Sequence, residues 1–113
     1  MSTNKGMLKG SLQVIILKLL NERGRMYGYE ITQLVKELTE GEIVLTEGAL
    51  YPALHKMEKD GLLLTEVELV ENRARKYYTL SSEGQAEMKV KLKEAKSFLD
   101  NLSVLLKLDP KLA

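Results

Sequence analysis

Near the end of the chain, Met88, Leu92, Ala95, Leu99, Leu102 and Leu106 follow one another at intervals of four, three, four, three and four. That a/d spacing lays one apolar seam along a single helix for nearly three heptads. Phe98 and Leu105 broaden the stripe. With Ser81 or Ser82 as its cap, the helix runs to about Lys107, roughly 25 residues or close to 38 Å at about 1.5 Å per residue. A chain of 113 residues has material for one core, and a rod of that length outruns so small a core. Packing on its own domain would satisfy only part of the stripe. The surplus apolar face needs a partner, and a two-fold dimer is the commonest answer. The seam therefore predicts a homodimer.

The segments before the seam are punctuated by glycine. Leu8, Leu12, Ile15, Ile16, Leu19 and Leu20 mark one wide face of a helix from Leu8 to Arg23, stopped by Gly24. A second helix fits Gly28–Leu38, with Ile31, Leu34, Val35 and Leu38 inward and Gly41 beyond its end. Thr46 is a good N-cap and Gly61 a good terminating glycine for a third. Its inward stripe is Leu50, Ala53, Leu54 and Met57. Pro52 is unusual inside a helix, but the residue four back is Gly48, which has no side chain to crowd the distortion, so the helix is expected to continue with a bend near Pro52. From Thr65 onward Val67 and Leu69 alternate with Glu66 and Glu68, the pattern of a half-buried strand. A turn at Glu71–Ala74 leads to a second strand, Lys76–Leu80, and Pro110 closes the ordered region.

The expected fold is mainly α with a small β-hairpin. Residues 1–80 form a winged helix-turn-helix, residues 81–108 a C-terminal dimerisation helix and residues 109–113 a tail.

Composition narrows the function classes. Without cysteine there is no disulfide, thiolate nucleophile or cysteine-held zinc, and one histidine, His55, makes no metal site. No phosphate-cradling glycine loop and no paired acid–base carboxylates stand out, so an enzyme is not expected, nor a cofactor. The apolar stretch near the N-terminus is broken by Lys9, Gln13 and Lys18 and lacks a small-residue cleavage site. No apolar run is long enough for a membrane span. A cytoplasmic protein is expected. Formal net charge is only +1, but it is unevenly spread. Residues 1–21 hold Lys5, Lys9 and Lys18 and no acid, whereas Glu66, Glu68 and Glu71 gather elsewhere. A neutral chain distributed this way can still present a basic face.

Three stretches stand in a distinctive order: Y-G-Y-E-I (Tyr27–Ile31), E-G-A-L-Y-P-A-L-H-K-M-E-K-D-G-L-L (Glu47–Leu63) and R-K-Y-Y-T-L-S-S-E-G (Arg75–Gly84). Together they closely resemble the PadR family of bacterial transcriptional regulators, in its compact branch with a single C-terminal helix. Ala49 stands where that family usually has threonine, and Lys56-Met57 replace its common arginine–leucine pair. These departures bear on base preference and not on the fold. The resemblance implies a repressor of palindromic double-stranded DNA, released by a small molecule or another signal. It also implies that Leu8, Leu12 and Ile15 of the first helix join Met88, Leu92, Ala95, Phe98, Leu99, Leu102 and Leu106 in the dimer interface. A small-molecule effector would sit at that interface, although Ala95 and the absence of tryptophan supply little for stacking flat aromatics.

A helix-turn-helix leads into the major groove with the N-terminal residues of its second helix. The outward positions of that element include Thr46, Gly48, Ala49, Tyr51, Pro52, His55 and Lys56. Gly48 and Ala49 keep the leading turn slim, and Ala49 suits a thymine methyl. Tyr51 and His55 can hydrogen-bond phosphate or base edges, and Lys56 suits a phosphate. Glu47 would repel phosphate unless it accepted from a cytosine amino group. Arg73, Arg75 and Lys76 at the hairpin suit a backbone clamp or a narrow minor groove. Lys5, Lys9 and Tyr27 are secondary phosphate candidates. The alternative is a winged-helix interaction module that dimerises without binding DNA. Near-zero net charge favours that alternative, while the basic hairpin tip and slim leading turn oppose it.

Overall fold

The computed structural model describes residues 5–108. Helix α1 spans Lys5–Arg23, strand β1 Met26–Tyr27, α2 Gly28–Leu38 and α3 Glu47–Lys59. Strands β2 (Leu63–Val70) and β3 (Arg73–Leu80) follow, and α4 covers Ser82–Leu106. This is a winged helix-turn-helix with a long C-terminal helix. Among the described residues, no helix is long and apolar enough to cross a membrane. The tail at 109–113, with Pro110, and the side chain of Lys5 lie outside the described set.

The helix ends follow local chemistry. Gly24 adopts φ +87° and its N–H donates to the Leu20 carbonyl at 2.8 Å, closing α1. The Thr46 hydroxyl accepts from the Ala49 N–H at 3.2 Å and starts α3. That helix continues unbroken through Pro52. The Ser81 hydroxyl accepts from the Gly84 N–H at 3.0 Å and starts α4. Within the core, Ile16, Leu17 and Leu20 of α1 meet Ile31 of α2, Leu50 and Leu54 of α3 and Leu63 of β2, all fully buried. Each such side chain contributes about 1.5–3 kcal/mol through removal from water.

The sheet has three antiparallel strands in the order β1-β3-β2. Strand β1, unforeseen from sequence, pairs Met26 with Tyr78 and Tyr27 with Tyr77. Two residues carry no readable period, so only the fold reveals them. The hairpin turn is also tighter than the expected Glu71–Ala74. Glu71 and Asn72 have φ of 52° and 66°, the paired left-handed geometry of a two-residue type I′ turn, and Arg73 and Ala74 already belong to β3.

Three expectations need correction. Leu38, expected on the inward face of α2, is 62% exposed. Val67 and Leu69 do not face a core: they are 63% and 77% exposed. From Glu66 to Leu69 both faces of β2 are open, so the hairpin projects as a free-standing ribbon. Along the expected dimer seam, Leu12 and Met88 are buried in the chain's own core, and Leu8 and Ile15 pack partly against it. The length of α4 divides its duties, because α1 packs against one side of it. Ala95 and Leu102 are half-buried, whereas Leu92, Phe98, Leu99 and Leu106 remain exposed, Phe98 at 64% and Leu99 at 59%.

Gly84 is buried where α4 crosses the hairpin base, and a Cβ there would collide with the backbone carbonyl oxygen of Leu62. Gly84→Ala should therefore cost about 1–3 kcal/mol by overpacking against the backbone. Urea denaturation reads this directly, and an unchanged midpoint would contradict the close crossing.

Candidate nucleic-acid interface

Helix α3 buries Leu50, Leu54 and Met57, which turns its opposite side to solvent. Thr46, Gly48, Ala49, Tyr51, Pro52, His55 and Lys56 are all exposed there, with Glu47 and Lys59. The leading turn carries only small side chains at Gly48 and Ala49, so its backbone can be approached closely. The pose of α3 against α2 depends on Tyr51, which lies over Gly28. A Cβ at Gly28 would stand 2.5 Å from the Tyr51 hydroxyl oxygen. Gly28 is thus explained by a side chain of α3.

Beside α3 lies the wing. A groove of about 420 Å³ between them is lined by Tyr27, Gly28, Tyr51, Arg73, Arg75 and neighbouring residues. A second groove of about 440 Å³ joins Lys9 of α1 to Ala49, Pro52 and Lys56 of α3. Nine of the expected contact residues, from four elements, therefore line these two grooves: Ala49, Tyr51, Pro52 and Lys56 of α3, Arg73, Arg75 and Lys76 of β3, Tyr27 of β1 and Lys9 of α1.

The basic residues are not equivalent. Lys56 forms an exposed ion pair with Asp60 at 3.1 Å, one turn along the helix, an interaction of little strength that exchanges easily. Lys76 is different. Its ammonium bonds Glu58 at 3.0 Å, and the other Glu58 carboxylate oxygen accepts from the Thr65 hydroxyl at 3.0 Å. Lys76 is therefore a strut from wing to α3, a role its sequence surroundings do not indicate. Its two bonds hold the Glu58 carboxyl below the ordinary range, Lys76 first and Thr65 second. Arg73 and Arg75 have no ion-pair partner among the described residues. Tyr27 also proves to be scaffold. Its ring lies under the Arg75 guanidinium at 4.2 Å and meets Tyr77 edge-on at 5.5 Å.

Sequence reasoning missed Arg25. One of its guanidinium nitrogens bonds Glu66 and Glu68, each at 2.6 Å, and the group lies 3.8 Å above the Tyr77 ring. The Glu68 carboxyl is pushed down, chiefly by this hydrogen bond. Arg25 sits between two helices with no motif around it, and its partners lie over forty positions away. Its only signal is the acidic pair itself, which needs a counter-ion. Among the described residues, no three acidic or histidine side chains gather as metal ligands would.

The strut has a pH signature. A carboxyl whose folded pKa is lowered contributes stability above its unfolded value, near 4.5, and loses it as pH falls through the folded value. Glu58→Gln should accordingly show a shallower fall in melting temperature than the parent between about pH 5 and pH 3. Parallel curves would show that the strut is not formed in solution.

Comparison with known proteins agrees with this architecture. The sequence profile described as the transcriptional regulator PadR-like family matches residues 16–90, from α1 through the wing into α4. A transcriptional regulator of Mycobacterium tuberculosis is 40% identical over 55 residues, 49% of this chain and 51% of that protein. The structure of a transcriptional regulator from Clostridium thermocellum superposes with a TM-score of 0.80 at 32% identity, covering 87% of this chain and 95% of that one. PadR of Bacillus subtilis, solved in complex with operator DNA, gives a TM-score of 0.65 at 29% identity over 72% of this chain and 46% of that chain. The chain belongs to the PadR-like family of transcriptional regulators.

Proposed function

We propose that this protein is a DNA-binding repressor that acts as a homodimer on a palindromic operator. One observation carries the reading: Tyr51 on the exposed face of α3 borders a single groove with Arg73 and Arg75, which have no ion-pair partner among the described residues. The B. subtilis relative, solved with operator DNA, supports it. In this reading residues 1–80 are the reading unit and residues 81–108 the pairing element. Thr46, Gly48, Ala49, Tyr51, Pro52, His55 and Lys56 enter the major groove. Arg73 and Arg75 hold the backbone beside it, and Lys9 flanks the far side of α3.

Pairing runs through the exposed Leu92, Phe98, Leu99 and Leu106 of α4. Dimerisation doubles the phosphate contacts of a chain with little net charge, and each contact adds affinity through counterion release. Half-sites should lie about one helical turn, roughly 10 bp, or a multiple of it apart. The same seam is where a small-molecule effector would act, because a ligand that respaces the two α4 helices also respaces the two reading helices.

Fluorescence anisotropy with the DNA upstream of the protein's own gene, at several salt concentrations, tests this directly. Tight, salt-dependent and sequence-selective binding is expected, whereas an interaction module would bind little at physiological salt. Arg73→Ala with Arg75→Ala should weaken binding to all sequences and flatten the log–log salt slope by about 0.9 for each phosphate the wing no longer neutralises. An unchanged slope would remove the wing from the interface. Leu99→Asp should yield monomers by light scattering, since it places a charge in an apolar seam, and a persistent dimer would mean that another surface pairs.

A further inference from the structure

The wing presents a charge problem that its register makes explicit. In the β2–β3 ladder Glu68 stands directly opposite Arg75, and Glu66 directly opposite Tyr77. Side chains directly opposite one another share a sheet face at about 5 Å. Glu68 and Arg75 are therefore the natural ion pair of this hairpin, and such a pair would tie up the arginine on the neighbouring strand. That pairing is not made. Arg75 lies over Tyr27, and Glu68 is bonded instead by Arg25.

The placement of Arg25 follows from β1. Tyr27 pairs with Tyr77, so Arg25, two residues earlier, emerges on the same face as Tyr27, Tyr77, Glu66, Glu68 and Arg75. It spreads over Tyr77 and takes both carboxylates with one nitrogen. Arg75 lies over Tyr27 and lines the groove beside α3. We propose that Arg25 is a positioning residue for DNA binding: as the counter-ion of Glu66 and Glu68 it keeps Glu68 off Arg75, leaving the Arg75 guanidinium open to phosphate. The proposal rests on the DNA-binding reading above and explains how an acidic strand serves in a phosphate-facing wing. An exposed ion-pair cluster of this kind adds little to global stability, so its effect should appear in binding.

The test is a mutant cycle on the full-length dimer, with the anisotropy assay for affinity and NMR of the Arg75 guanidinium in the DNA-free protein for its pairing state. Arg25→Gln should bind operator about ten- to a hundredfold more weakly, as expected when the Arg75–phosphate contacts of the dimer are weakened by about 1.4–2.8 kcal/mol in total, with melting temperature nearly unchanged. Its Arg75 signals should acquire the hindered rotation of an ion-paired group. Adding Glu66→Gln and Glu68→Gln to that variant should restore both readouts to within about twofold of the parent. The two glutamine substitutions alone should not weaken binding. In an Arg75→Gln background, Arg25→Gln should have no further effect on affinity.

If the triple variant stays as weak as Arg25→Gln, Arg25 touches DNA itself and the proposal fails. If the two glutamine substitutions alone weaken binding as much as Arg25→Gln, the cluster is a tether and the proposal fails equally. A parent that binds no DNA, with Arg75 still changing partner on cue, would sink the regulator reading and the DNA role while leaving the counter-ion exchange established.

Discussion

Three elements of this fold meet at one buried hydroxyl. Ser81 donates its side-chain hydrogen to the Gly61 carbonyl at 2.6 Å and accepts from the Gly84 N–H, while its own backbone N–H reaches the Leu62 carbonyl. The end of α3, the base of the hairpin and the start of α4 are thereby joined through a single residue. An unpaired hydroxyl in that position would carry a desolvation cost, so the arrangement is all or nothing. The direction in which α4 leaves the domain is set at this point.

From there outward, the structure divides into a packed half and a poised half. Ile16, Leu17, Leu20, Leu50 and Leu54 fix α1 and α3 against each other. The wing has no such core beneath it beyond Thr65. Lys76 of the wing reaches Glu58 of α3 on one face, while on the other Arg25 neutralises Glu66 and Glu68 of the wing. The Lys76 pair is weak by itself, yet it steadies a ribbon whose backbone ladder is already complete. A wing held this way can adjust to a duplex without disturbing the hydrophobic interior.

What the sequence reveals and what it hides follow the range of the forces involved. The span Gly28–Leu38, the Thr46 cap, the Gly61 stop and the Ser81 cap are written within a few residues of where they act, and all appear in the fold. So do the inward stripe of α3 and its solvent face. Strand β1 is hidden because two residues become a strand only once β3 lies alongside. The exposure of Val67 and Leu69 is hidden because alternation tells which residues share a face, not whether anything covers it. The supporting contacts of Lys76 and Tyr27, and those of Arg25, depend on partners brought together only by folding. Leu12 and Met88 fit the seam pattern equally well because a heptad does not distinguish a helix's own core from a neighbour's.

Pro52 carries a consequence of its own. Having no N–H, it gives nothing to the Gly48 carbonyl four residues back, on an exposed turn of α3. The helix therefore holds, near its tip, an oxygen without its usual backbone donor, beside a residue with no side chain. Water occupies such a site cheaply, and an incoming donor displaces that water without unravelling a helical bond. The proline ring also fixes one backbone angle before any encounter, so less freedom is surrendered on docking. A residue that looks like a flaw in the rod leaves its end both receptive and stiff.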